Sequence, residues 1–84
     1  MNPNQRKILV ALASYWEQWG SAPSAKQLAE EAKICMMQVY DEIYSLEKIG
    51  WVKFQGDSGA RYPNLGARLT AKAEQYLPRL KELQ

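Results

Sequence analysis

The stretch Pro23-Ser24-Ala25-Lys26-Gln27-Leu28-Ala29-Glu30-Glu31-Ala32-Lys33-Ile34-Cys35-Met36-Met37-Gln38-Val39-Tyr40-Asp41-Glu42-Ile43-Tyr44-Ser45-Leu46-Glu47-Lys48-Ile49-Gly50-Trp51-Val52-Lys53-Phe54 decides how this chain folds. Ser24 followed three residues later by Gln27 is a capping-box signature. It opens a short helix whose buried side is Leu28, Ala29 and Ala32. The helix should stop near Ala32, with Lys33 in the turn. Glycine is common at such turns because the backbone often goes left-handed. A lysine in that conformation would cost roughly 1 kcal/mol, which predicts a turn of slightly different form.

A second helix should run from about Cys35 to Ile49. Val39, Ile43 and Leu46 lie within a narrow arc of the helical wheel, flanked by Cys35, Met36 and Ile49, so this arc is expected to face the core. Opposite lie Met37, Asp41, Tyr44 and Lys48, at i, i+4, i+7 and i+11, with Gln38, Tyr40 and Ser45 along the margins. Gly50 should end the helix, and Trp51-Val52-Lys53-Phe54-Gln55 alternates like a strand. Gly56-Asp57-Ser58-Gly59 reads as a hairpin turn, Ala60-Arg61-Tyr62 as its return strand, and Pro63 ends regular pairing because it has no N–H.

Outward from this stretch, Asn2 caps a first helix that starts at Pro3, where a missing N–H does no harm. Ile8, Leu12, Tyr15, Trp16 and Trp19 form its apolar face, and Gly20 ends it. At the other end Leu69, Ala73, Tyr76, Leu80 and Leu83 mark a last helix over residues 69–83, with an a/d spacing over two heptads. Pro78 should kink that helix or start a new turn after Leu77. The seam has two readings: packing onto the first helix, or a homodimer contact.

Bulk properties bound the function. With 84 residues the chain is one domain with a modest core. Its net charge of +2 permits nucleic-acid binding without demanding it. The lone Cys35 cannot form an internal disulfide, which suits a reducing, cytoplasmic compartment. The apolar run Ile8–Ala13 is six residues, shorter than a secretory signal's core, and no run approaches the ~20 residues that span a bilayer. Catalysis is not expected. The chain has no histidine, so the commonest general base and metal ligand is missing, and one cysteine makes no zinc site. No cofactor motif occurs; Gly56 and Gly59 belong to the hairpin turn.

The residues Gly20-Ser21-Ala22-Pro23-Ser24, Leu28-Ala29-Glu30, Val39 and Leu46-Glu47-Lys48-Ile49-Gly50-Trp51-Val52 resemble winged helix-turn-helix regulators. The pattern looks most like phage and plasmid replication or regulatory proteins, and is similar to the DNA-binding domain of the SOS-response repressor. Leu69-Thr70-Ala71-Lys72-Ala73 resembles the start of the final helix in MarR- and PadR-type regulators. The resemblance covers about residues 5–77. It implies a mainly α fold with a small β-hairpin: a three-helix core with the helix-turn-helix at 24–49, a wing at 50–64 and a C-terminal helix. It also implies binding of double-stranded DNA, with the third helix in the major groove and the wing on the backbone or in the minor groove.

The charges divide that expectation. Residues 35–49 hold Lys48 against Asp41, Glu42 and Glu47, net −2, while 50–68 hold Lys53, Arg61 and Arg68 against Asp57, net +2. Phosphate contacts would then fall to Lys53, Arg61, Arg68 and Lys26, with Lys33 beside them. Readout would fall to the third helix: Gln38 to adenine, Met36 or Met37 to a thymine methyl, Asp41 to cytosine. Tyr40 and Tyr44 could bond phosphate oxygens, and Lys48 closes the stripe. This describes a small repressor-like transcriptional regulator. The competing expectation is a protein-binding or inhibitory module, in which Met37, Tyr40 and Tyr44 beside Asp41 dock on a basic protein partner.

Overall fold

The computed structural model describes residues 2–54 and 66–82. Among them the chain is mainly helical, with a small two-stranded antiparallel sheet: α1 (Pro3–Trp19), α2 (Ala25–Ala32), α3 (Met36–Lys48), β1 (Val52–Phe54), β2 (Ala67–Leu69) and α4 (Ala71–Glu82). The expected turn at 56–59, return strand at 60–62, Pro63, Arg61 and Leu83 lie outside the described residues.

Local chemistry sets the helix ends. Asn2 Oδ1 accepts from Gln5 N–H at 2.8 Å while Gln5 Oε1 accepts from Asn2 N–H at 3.2 Å. Ser24 and Gln27 make the same reciprocal pair at 3.1 and 2.9 Å. Two orphan amides are thus satisfied at each helix start. Gly20 closes α1 at φ 67°. Gly50, at φ 81°, closes α3. There Trp51 N–H bonds the Leu46 carbonyl at 2.9 Å and Gly50 N–H bonds that of Glu47 at 3.1 Å, the two bonds of a Schellman motif.

Lys33 does adopt the left-handed conformation, at φ 61°. This corrects the expectation of an altered turn. The reason lies one residue on: Ile34 N–H reaches back to the Ala29 carbonyl at 3.1 Å and the Ile34 side chain packs against the core. Those gains hold the lysine where glycine would be unstrained.

The core sits where α1, α2, α3 and the sheet meet. Ile8, Leu9, Leu12, Leu28, Val39, Ile43 and Leu46 are fully buried or nearly so. Leu9 and Ala11 widen the buried face of α1 beyond the expected row. Trp19, at the end of that row, is 64% exposed. Ile49 and Cys35, expected to flank the core on α3, are exposed as well, since both lie at the helix ends.

The second half departs further. β1 pairs with Ala67–Leu69, in the register Val52↔Leu69, Lys53↔Arg68, Phe54↔Ala67. Thr70 N–H to the Trp51 carbonyl, 3.1 Å, extends the ladder by one rung. Leu69 is therefore a strand residue, and α4 starts two positions later than the spacing predicted. Thr70 is its cap, accepting from Ala73 N–H at 3.3 Å. Pro78 lies inside α4, which continues through it to Glu82, so no new helix starts after Leu77.

Of the expected dimer seam, Leu69, Ala73 and Leu80 are buried in the chain's own core, and Tyr76 is exposed. The packing reading thus accounts for those three residues. No described helix is long and apolar enough to cross a membrane.

Candidate nucleic-acid interface

Alternation in the sheet dictates its two faces. Val52, Ala67 and Leu69 are buried and Phe54 is half-buried against the core, so Lys53 and Arg68 point outward. The register places them directly opposite one another. Two like charges at opposed positions weaken a ladder by roughly 0.2–1 kcal/mol. Part of that cost is offset by Trp16 of α1. The Arg68 guanidinium lies 5.1 Å from the Trp16 ring centroid, and the same indole donates its Nε1–H to the Ala67 carbonyl at 2.8 Å. Trp16 therefore both fastens β2 to α1 and holds the arginine in place.

The outer stripe of α3 lies beside this sheet. Met37, Gln38, Asp41, Tyr44 and Lys48 are exposed, as their spacing predicts. Met37 is the most open large apolar side chain of the set, at 75%. Tyr44 leans on Phe54 of β1, centroids 6.0 Å apart and nearly edge-on, which ties the stripe to the strand.

Met36 and Tyr40 are not on the open stripe. Both are half-buried and packed against the core. On the wheel Tyr40 follows Met36 and Ile43 at the flank of the core arc, and its large ring reaches back onto the core.

Gln38 is exposed but already engaged. Its Oε1 accepts from the Cys35 N–H at 3.3 Å, completing the start of α3. Bidentate pairing to adenine uses both the amide oxygen and the amide nitrogen. Gln38 could read a base that way only by releasing its own helix, a loss of about 0.5–1.5 kcal/mol. Glu42, on the same helix, accepts from Gln5 Nε2 at 3.4 Å, so part of the helix's acidity faces α1.

Lys26 is exposed on the first turn of α2, and Lys33 on the turn after it. Among the described residues, the fold thus brings together two groups of the expected DNA-binding residues: Lys53 with Arg68, and the open stripe of α3.

Sequence reasoning did not find Trp16, Thr70 or Lys72 as organising residues. Thr70 Oγ1 donates to the Gly50 carbonyl at 2.7 Å, and Lys72 Nζ donates to the Ile49 carbonyl at 3.1 Å. Lys72 also lies 5.6 Å from the Trp51 ring centroid, and Trp51 packs on Tyr76 at 5.3 Å. These bonds tie the end of α3, which carries Lys48, to the start of α4. A threonine just before a helical run was the available signal for the cap. No three metal-ligating side chains cluster among the described residues. Comparison with protein-family models and with curated proteins finds no match for this chain.

Proposed function

We propose that this protein is a winged helix-turn-helix module that binds double-stranded DNA and acts as a small transcriptional regulator. The observation that carries the reading is the outward pair Lys53 and Arg68, opposed across the sheet, with Arg68 held over the Trp16 ring. A folded chain gains nothing in stability from two cations set face to face. A phosphate backbone would neutralise both. The order α2, tight turn, α3, strand supports the same reading, with α3 laid toward the major groove and the sheet of β1 and β2 serving the wing. Met37, Asp41, Tyr44 and Lys48 then meet the DNA from α3, and Lys26 adds charge from the first turn of α2. Half-buried Met36 and Tyr40 support α3 from within.

The test is fluorescence anisotropy with random-sequence duplex DNA at low and at physiological salt. Native protein should bind more weakly as salt rises. The double variant Lys53→Ala, Arg68→Ala should lower the slope of log affinity against log salt by about 2, at roughly 0.9 per phosphate contact. Binding that both alanines leave untouched would sink the reading.

One observation favours a second reading, a protein-binding module. The open face of α3 offers Met37 and Tyr44 beside Asp41, while Gln38 is engaged in its cap. Methionine and aromatic residues are enriched at protein interfaces. Absence of DNA binding even at low salt would move the assignment to this face.

A further inference from the structure

The structure holds a second cationic feature, away from the sheet. A cleft of about 500 Å³ opens between α1 and the end of α2. Arg6 and Lys7 line it from α1, Lys33 from the left-handed turn, and Glu31 is its one carboxylate. Val10 and Ala32 belong to its apolar lining. Three cations thus face one acid. Among the described residues none of the three is ion-paired, and Arg6 is half-buried. A guanidinium partly withdrawn from water without an acidic partner is an arrangement that an anion improves.

Lys33 supplies an independent observation. It is the one non-glycine residue at positive φ among the described residues. Glycine would take that conformation without strain and would close α2 equally well. The bond and packing of Ile34 hold the backbone there whichever residue occupies the turn, and strained backbone of this kind clusters at functional sites. Here the residue at positive φ lines the same cleft as Arg6 and Lys7.

We infer that this cleft binds a small organic anion with an apolar body, its acid group held by Arg6, Lys7 and Lys33 and its body laid against Val10 and Ala32. The guanidinium fork suits a carboxylate or a phosphate oxygen pair. The small side chain of Ala32 leaves room that a larger residue would fill. The cleft shares no residue with the sheet pair or with the outer stripe of α3.

The test is a backbone-amide NMR titration of the full chain with octanoate, octanol and inorganic phosphate in turn. Octanoate should shift the amides of residues 6–11 and 32–34 saturably. Octanol and phosphate should each do so far more weakly. Arg6→Gln should abolish the octanoate response. Lys33→Gly should weaken it by about tenfold, the loss of one charge-assisted hydrogen bond, while raising the melting temperature. That opposition between affinity and stability is what a purely structural lysine would not produce. Octanol acting as strongly as octanoate, or Lys33→Gly binding octanoate unchanged, would overturn the assignment. So would random duplex DNA shifting these amides when octanoate does not, because the cleft would then be part of a DNA surface.

Discussion

The cluster of α1, α2 and α3 and the unit of β1, β2 and α4 are held together by different physics. In the first, long aliphatic side chains from three helices meet in one buried body: Ile8, Leu9 and Leu12 from α1, Leu28 from α2, Val39, Ile43 and Leu46 from α3. In the second, the buried set thins to Val52, Ala67, Leu69, Ala73 and Leu80, and directed bonds add what area does not. Trp16 fastens β2, Thr70 fastens Gly50, and Lys72 fastens Ile49. Burial is non-directional and its loss is large. A single hydrogen bond contributes only about 0.5–1.5 kcal/mol, but it fixes geometry. The helical cluster thus supplies stability, and the sheet unit supplies the placement of Lys53 and Arg68.

That contrast breaks most sharply at Leu12, which is fully buried. Leu12→Ala should cost about 3 kcal/mol by emptying a core site from which no neighbour can withdraw cheaply. Urea denaturation followed by circular dichroism should show the whole chain losing stability together. A cost under 1 kcal/mol would mean the helical cluster is loosely packed.

Next in size is Trp16→Phe. The aromatic body remains, but the Ala67 carbonyl loses its donor and Arg68 its best ring, for about 1–2 kcal/mol. The sharper expectation is where the loss falls. Hydrogen exchange should accelerate in β1 and β2 while the amides of α2 stay protected. Uniform acceleration would erase the distinction between the two regions.

Thr70→Val removes a bond to the Gly50 carbonyl and the cap at Ala73 while keeping the branched shape. About 1 kcal/mol is expected, by thermal or urea unfolding. Smallest is Lys72→Met, which keeps the stem over Trp51 and loses only the ammonium. Because that residue is exposed, the change should stay near 0.5 kcal/mol and fade as salt is added. A salt-insensitive loss would point to packing instead of charge.

The same division explains what the sequence made legible. The first three helices announce themselves because each combines a cap with a 3.6-residue period: Asn2 before Ile8 and Leu12, Ser24 before Leu28 and Ala32, Gly50 after Val39, Ile43 and Leu46. The exposed stripe of α3 follows from that period alone. The second half offered no such redundancy. β2 is three residues long, and Ala67-Arg68-Leu69 is too short for alternation to stand out. Leu69 also fits the heptad spacing of the helix after it, so periodicity assigned it to the wrong element. Only the pairing partner across the sheet distinguishes the two, and that is a long-range fact. Pro78 poses a related problem. Its local penalty is plain in the sequence, whereas the packing of Ala73 and Leu80 that carries α4 through it is not.

In the candidate interface, the period located the open residues but not their engagements. The spacing could not say that Gln38 closes its own helix, or that Tyr40 turns inward. Nor could it pair Arg68 with Trp16, 52 positions away in the chain.

The indoles of this molecule have a further use. Trp16 sits half-buried under the Arg68 guanidinium, Trp51 half-buried beside Lys72, and Trp19 stands open to water. Indole emission follows the polarity and charge around the ring, so the chain carries its own optical reporters at three separate stations. Variants that keep one tryptophan at a time would report separately on the α1–β2 clasp, on the joint between α3 and α4, and on the solvent-exposed end of α1. Coincident transitions at all three would mark unfolding as a single cooperative event. A Trp51 signal that moves ahead of that of Trp16 would show the joint opening first, with no label attached to the protein.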